Sequence, residues 1–265
     1  MTQDRTTDWN PDIYDRFADD RRQPARDLLA RIGPLVSGPL VDLGCGAGGM
    51  ARDLATRANG AALIGVDNAP TMLERARQTG IYSRVIEADI ATWAPEEAPA
   101  LIFSNAALHW VSDHGALMPK LAGLLCPGGC LAVQMPRQFE APSHALLRDI
   151  AADMFPERFE FASWQAPVAS PEDYMRLLAP LGEVAVWETT YIQRLAPVDH
   201  SAHPVRAFTE ATAMRPFAQK MSAEELAVFT SAYEAQLAAD YPQADDGSVL
   251  FPFTRVFFVL ERAHA

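Results

Sequence analysis

The residues best placed to do chemistry lie in one short run, Val41-Asp42-Leu43-Gly44-Cys45-Gly46-Ala47-Gly48. Alternating glycines let a backbone turn tightly and approach a ligand that a Cβ would exclude. Gly44, Gly46 and Gly49 also satisfy the G-x-G-x-x-G dinucleotide fingerprint, so the glycines alone leave the nucleotide open. The acids narrow it. Asp42 sets a carboxylate two residues before the first glycine, where a pyrophosphate would be repelled and a cationic amino-acid ligand welcomed. Asp67 and Asp89 close the next two apolar runs, Leu63 to Val66 and Val85 to Ala88. Carboxylates at three successive strand ends suit a ligand with an ammonium group, a ribose diol and an adenine amine, all donors. That ligand is S-adenosyl-L-methionine, whose product after transfer is S-adenosyl-L-homocysteine.

Elements must hold these residues in place. From Leu40 onward short apolar runs alternate with amphipathic stretches: Leu40 to Leu43, Met50 to Ala58, Ala61 to Val66, Pro70 to Gln78, Arg84 to Ala88, Leu101 to Phe103, Ala116 to Leu125 and Cys130 to Met135. This is the pattern of a parallel α/β sheet with helices on both faces. Gly60 and Gly80 stand where helices should stop and Pro70 where one should start. Asn10-Pro11 predicts a short N-terminal helix, restarted at Pro24, within an N-terminal segment 1–33. Past the core at 39–136, the pattern predicts a helix from Ser143 to Asp153, an aromatic loop from Phe155 to Trp164, a helix start at Ser170-Pro171 and an alternating strand from Val184 to Ile192. Ser222 and Glu225 form a capping box leading into the stripe Leu226, Phe229, Tyr233 and Leu237. Residues 193–250 read as a helical cap inserted before a last strand, Val256 to Leu260, apolar at every position as for a strand covered on both faces.

Length and charge bound the function. With 265 residues, 49% of them apolar, the chain can bury one sizeable core. Asp and Glu number 34 against 22 Lys and Arg, a net charge of −12, which offers no diffuse basic face to nucleic acid or anionic lipid. Only Lys120 and Lys220 are lysines, so the cations are almost all arginines, suited to bidentate recognition of carboxylates. Cys45, Cys126 and Cys130 form neither an even disulfide framework nor a paired metal spacing. With no apolar signal core and no run of about 18 apolar residues, the reading is a cytoplasmic protein, monomeric by default, with no membrane or nucleic-acid partner.

The glycine loop with its three acids resembles the class I S-adenosylmethionine-dependent methyltransferases. That resemblance implies a three-layer Rossmann-like fold, a seven-stranded mostly parallel sheet with an antiparallel last strand. It further implies that Gly44, Gly46 and Gly48 pass under the methionine moiety, that Asp67 holds the ribose hydroxyls beside Asn68 and Met72, that Asp89 and Ile90 face the adenine, and that Asn105 lies near the sulfonium. Asn105-Ala106-Ala107-Leu108 lacks the Pro-Pro-aromatic of nucleobase amine methyltransferases, and Leu108-His109-Trp110 resembles a segment of enzymes acting on small carboxylic acids.

Trp9-Asn10-Pro11 with Tyr14 and Phe17, Pro24-Ala25, Leu131 through Pro136, Pro142-Ser143-His144, Thr190-Tyr191, Arg215-Pro216-Phe217 and Arg255-Val256-Phe257 together make the chain similar to the trans-aconitate 2-methyltransferase family, from about Asp8 to Glu261. The family implies methyl-ester formation on a small anionic metabolite. A carboxylate with a pKa near ~4 is already ionised at neutral pH, so no general base is required. The acceptor must instead be held by cations and hydroxyls: the candidates are Arg215, Arg255, Tyr191, Arg21, Arg137 and His109. Departures fall in this half. Arg137-Gln138 stands where relatives usually show Asp-Asn, Gln23 replaces an arginine, and the segment Leu195 to Phe208 carries His200 and His203 and lacks a tryptophan. A hydroxyl or amine acceptor, with His109 or His203 as base, and a catalytically silent S-adenosylmethionine-binding protein therefore stay open as alternatives. The histidine pair lacks a third ligand, so no metal is assigned.

Overall fold

A computed structural model describes residues 18–198, 202–210 and 212–264, with side chains from Arg22 onward. Trp9, Asn10, Pro11, Tyr14, Phe17, the Arg21 side chain and His200 lie outside the described residues. The apolar runs form strands β1 (Leu40–Leu43), β2 (Leu63–Asp67), β3 (Arg84–Glu87), β4 (Leu101–Asn105), β5 (Cys130–Pro136), β6 (Gly182–Leu195) and β7 (Val249–Arg262). They join in one sheet in the order β3-β2-β1-β4-β5-β7-β6. β1 pairs in parallel with β2 on one side and β4 on the other, whereas β7 runs antiparallel to both β5 and β6. The connections leaving β1 and β4 therefore part in opposite directions, and the crevice beyond their carboxyl ends is the place where open α/β sheets bind ligands.

Helices α1 (Ala18–Ala30) and α2 (Ala51–Ala58) cover one face, where Ala25, Leu28 and Leu54 pack with Phe103, Ala132 and Phe257. Helix α3 (Pro70–Gln78) packs through Leu73 and Ala76 against Cys45 beneath the glycine loop. The opposite face is closed by α4 (His114–Leu124) and α6 (Pro171–Leu178), with Leu117, Met118, Tyr174 and Leu178 against Val133, Val256 and Phe258. Helix α1 runs unbroken through Pro24 instead of restarting there. A proline forfeits one helical hydrogen bond, and the buried Ala25 and Leu28 anchor the helix across the fault.

A second core lies at the far end of β7. Helix α5 (Pro142–Met154) and the cap helices α7 (Pro204–Glu210), α8 (Arg215–Ala218) and α9 (Ala223–Asp240) bury Leu147, Val205, Phe217, Phe229 and Tyr233 against Phe251 and Phe253. The aromatic loop joins this core, with the Phe159 and Phe217 ring centroids 5.6 Å apart. The Ser222 capping box closes α9 as the sequence predicts, Oγ accepting from Glu225 N while Glu225 Oε2 accepts from Ser222 N. The outer strands are longer than the alternation suggests: β6 reaches Leu195, which pairs with Val249. In β7, residues 249–254 bury alternate positions, and burial becomes continuous from Arg255 to Phe258. Arg255 thus stands where the cap core ends and the sheet core begins.

Candidate active site

The glycine loop is built around close approach. Gly44 has φ +79°, and a Cβ there would fall 2.2 Å from Ala107 Cβ, so the loop after β1 presses directly on the loop after β4. Ile90 joins them, its Cδ1 3.5 Å from the same point. Above Gly46 (φ +52°) the space is open, with nothing within 4 Å of a Cβ. Beneath the loop Tyr82 fills the gap, its ring 3.1 Å from where a Gly48 Cβ would stand.

Each acid is tied. Asp67 Oδ2 accepts from Gly46 N at 2.8 Å and Oδ1 from Ala69 N at 2.9 Å, which fixes the carboxylate and leaves further lone pairs on each oxygen for hydroxyl donors. Asp89 is exposed, its Oδ1 accepting from Ala91 N at 2.8 Å. Asp42 departs from the expectation that it meets the ligand. It is only 3% exposed and accepts from Tyr82 OH at 2.6 Å, so it acts from beneath the loop. Burial pushes its carboxyl up to about 7; the Tyr82 bond opposes that shift and the charge of Asp67 adds to it. Met72 is buried in the first turn of α3, while Asn68 is exposed beside Asp67.

The edge beyond β4 and β5 is different. Asn105 ends β4, and its buried Oδ1 has no hydrogen-bond partner. His109 follows on a short turn, its buried Nδ1 likewise unpartnered and its ring 4.6 Å from that of Trp110. Burial first, then the charges of Arg255 and His114, push the His109 imidazole down to about 3, so it is neutral at physiological pH. His114 is structural: Nε2 faces the Leu108 carbonyl at 3.0 Å and must carry the proton, leaving Nδ1 to accept from Tyr174 OH at 2.6 Å.

The expected acceptor residues divide. Arg255, 5% exposed, reaches Gln134 Oε1 through Nη1 at 3.3 Å and stacks 4.7 Å from the Phe253 ring centroid. Tyr191 lies on the same face but commits its one proton to Asp27 Oδ2 of α1 at 2.6 Å, with Gln23 Nε2 on the other Asp27 oxygen at 2.7 Å. Burial and Asp27 hold its phenol above the usual range. It is therefore a pin between α1 and β6 rather than a donor to the acceptor. Arg137 points to the opposite face, where its Nε meets Glu188 and its Nη1 meets Glu140 Oε2 at 3.2 Å. Glu188 pairs in register with Val256, whose side chain belongs to the far core, so Arg137 is removed from Arg255. Arg215 is half-buried at the start of α8, with no side-chain ion pair among the described residues. His203 is engaged through both ring nitrogens, Nε2 with the Tyr241 carbonyl at 2.9 Å and Nδ1 with Val205 N at 3.3 Å, so it offers neither a base nor a ligand.

Three residues escape the sequence reading. Tyr82, beneath the loop, leaves no local signal. Gln138 binds two backbone groups of β7, its Nε2 donating to Pro252 O and its Oε1 accepting from Thr254 N, both at 2.9 Å. The amide thereby continues the sheet pairing beside a proline that cannot donate. Gln134, fully buried, is visible only as a lone polar residue in the apolar run of β5.

Open space above the loop, two anchored carboxylates and a buried unpaired amide oxygen fit S-adenosylmethionine, a ligand bearing hydroxyl, amine and ammonium donors. Residues 40–129 match the family model described as a methyltransferase domain. Over almost its full length the chain is similar to proteins named trans-aconitate 2-methyltransferase. It is 42% identical to that of Methylobacterium radiotolerans, with 97% of this chain and 99% of the relative covered. It is 40% identical to that of Paracidovorax citrulli, with the same coverage of 97% and 99%. Among solved structures its fold is similar to that of the YcgJ protein of Bacillus subtilis, with TM-score 0.57, 14% identity, and 92% and 100% of the two chains covered. The chain belongs to the trans-aconitate 2-methyltransferase family and is an S-adenosylmethionine-dependent methyltransferase.

Proposed function

We propose that the enzyme transfers the methyl group of S-adenosylmethionine to one carboxylate of a small polycarboxylic acid of the trans-aconitate type. The products are the methyl ester and S-adenosylhomocysteine. A lone pair of the carboxylate oxygen forms the new O–C bond as the S–C bond breaks, and the bonding pair goes to sulfur. Carboxylate and sulfonium charges cancel, and no proton moves. With an acceptor pKa near ~4 the nucleophile is ionised before it binds. The observation that carries this reading is Arg255, a guanidinium 5% exposed at the junction of the two cores, with a neutral His109 as neighbour. A buried guanidinium presents several N–H donors in a geometry that matches a carboxylate, and a neutral imidazole with so low a pKa is a poor general base. The names of the relatives support the same acceptor.

In this reading Gly44, Gly46 and Gly48 run under the methionine moiety, and Asp67 takes the ribose diol with Met72 and Asn68 alongside. Asp89 and Ile90 face the adenine. Asn105 Oδ1 accepts from the ammonium, and Asp42, bonded to Tyr82, supports the loop from below. The residues hold acceptor and sulfonium in line, which supplies most of the acceleration for a step that needs no acid or base. No helix among the described residues is long and apolar enough to cross a membrane. We place the enzyme in the cytoplasm as a monomer acting on a small anionic metabolite.

The test is transfer of labelled methyl across a panel of small acids, followed by mild alkali. The expected result is label released as methanol from a tricarboxylic acid. Label stable to alkali would replace the ester reading with a hydroxyl or amine acceptor. S-adenosylhomocysteine binding without transfer to any acceptor would make the protein a silent binder.

A further inference from the structure

Gln134 lies in the middle of the acceptor edge with half of its amide unaccounted for. It is on β5, paired in register with Asn105 on one side and Phe257 on the other, and it is fully buried. Its Oε1 accepts from Arg255 Nη1 at 3.3 Å. A guanidinium can only donate, so this contact fixes which end of the amide is oxygen and turns Nε2 away from Arg255. Nε2 is buried and has no partner. A buried amide group left without a partner is destabilising, and such groups in native proteins call for an explanation such as a functional role. An unpaired N–H donor beside a buried arginine, between the end of β4 and the cap, has the chemistry of a carboxylate receptor.

We propose that Gln134 binds the acceptor, Nε2 donating to a carboxylate oxygen while Arg255 holds the same group and fixes the amide. The carboxylate held is one that does not receive the methyl. An oxygen bonded to a guanidinium and an amide has its lone pairs engaged and its nucleophilicity lowered, so the reacting carboxylate must be another group of the same molecule. Gln134 is thereby a specificity residue that selects acids with at least two carboxylates. This inference rests on the ester-forming function proposed above.

The test compares wild type, Gln134→Leu and Gln134→Glu with trans-aconitate and with a monocarboxylic analogue, crotonate, and measures S-adenosylhomocysteine affinity by calorimetry. The leucine variant removes the donor; the glutamate variant keeps the shape and the Arg255 contact but puts a negative oxygen where the donor was. Expected are a fall in kcat/KM for trans-aconitate of about tenfold in the leucine variant and about 100-fold in the glutamate variant. Crotonate turnover and S-adenosylhomocysteine affinity should stay within about threefold of wild type, the margin left for indirect effects. Equal losses on both acids would overturn the proposal. So would a matching loss of cofactor affinity, which would mean that Nε2 serves the unpaired Asn105 Oδ1 across the strand pair. Wild type that transfers methyl to trans-aconitate, with Gln134 variants unchanged, defeats this inference alone. Wild type that methylates no acid defeats the function beneath it. If the leucine variant fails to fold, the isosteric glutamate variant decides.

Discussion

The two halves of the sheet edge treat their polar groups in opposite ways. Beyond β1, β2 and β3 the three acids have partners within the fold: Tyr82 for Asp42, two backbone N–H groups for Asp67 and one for Asp89. Beyond β4 and on β5 and β6, buried atoms of Asn105, His109, Gln134 and Gln193 have none. The first half is set in advance for a ligand of fixed shape. The second leaves unpaired donors and acceptors: Gln134 Nε2 is a donor that a carboxylate oxygen would complete, whereas Asn105 Oδ1 is an acceptor suited to the cofactor ammonium, so binding there depends on the right groups being present. A molecule of net charge −12 would repel a polyanion at a distance, so the attraction has to be local.

Several substitutions would break or sharpen this contrast. The largest effect belongs to Arg255→Ala. It should lower kcat/KM for the proposed acid by about 100-fold while changing S-adenosylhomocysteine affinity by less than about threefold, because truncating a buried charge at a polar contact costs about 2–5 kcal/mol. Steady-state kinetics with calorimetry reads both, and equal losses would erase the division between the halves. Next is Gly44→Ala. Its Cβ would meet Ala107 at 2.2 Å in a left-handed conformation, so cofactor affinity should fall about tenfold and the thermal midpoint should drop by several degrees, about 2 kcal/mol of stability. An unchanged midpoint would show that the two loops part easily.

Asp42→Asn tests the buried acid through pH. The folded state raises this carboxyl from 3.8 to about 7, so the native protein keeps its proton while the unfolded chain loses it. The stability that the protonated form contributes is complete below the unfolded value and is lost as pH rises through about 7. The variant should remove that part of the decline, and should therefore gain on wild type between about pH 4 and about pH 8 in thermal melts. Parallel melting curves for the two proteins would contradict the assignment. The smallest effect is expected for Arg137→Ala. Its ion pairs are partly exposed and lie on the far face, so kcat/KM should stay within about threefold and stability within about 1 kcal/mol. A large rise in the acceptor KM would return Arg137 to the site.

What could be read from the chain follows the same line. The cofactor half is written in contiguous residues: the glycines, an acid at each strand end, and apolar runs whose lengths match the strands. The acceptor half is assembled from residues distant in sequence. Arg137 and Arg255 are the same residue type, and Arg255 pairs with Pro136, the immediate neighbour of Arg137. Yet one side chain turns to Glu188 on one face and the other to Gln134 on the opposite face. Only strand pairing decides that. Alternation places Tyr191 on the inner face but cannot show that its hydroxyl is taken by Asp27, 164 residues away. Gln134 did leave a trace, a single amide in an apolar strand, because a buried polar side chain needs a reason to be there.

The central claim is that the acceptor edge is an anion site completed by its ligand. Calorimetric titration of trans-aconitate into the S-adenosylhomocysteine-loaded protein tests it most directly, with the uncharged trimethyl ester of the same acid as control. Saturable, exothermic, one-to-one binding of the acid that weakens with salt is expected, and none by the ester. Equal binding of acid and ester, or binding of neither by a protein that holds S-adenosylhomocysteine normally, would contradict it.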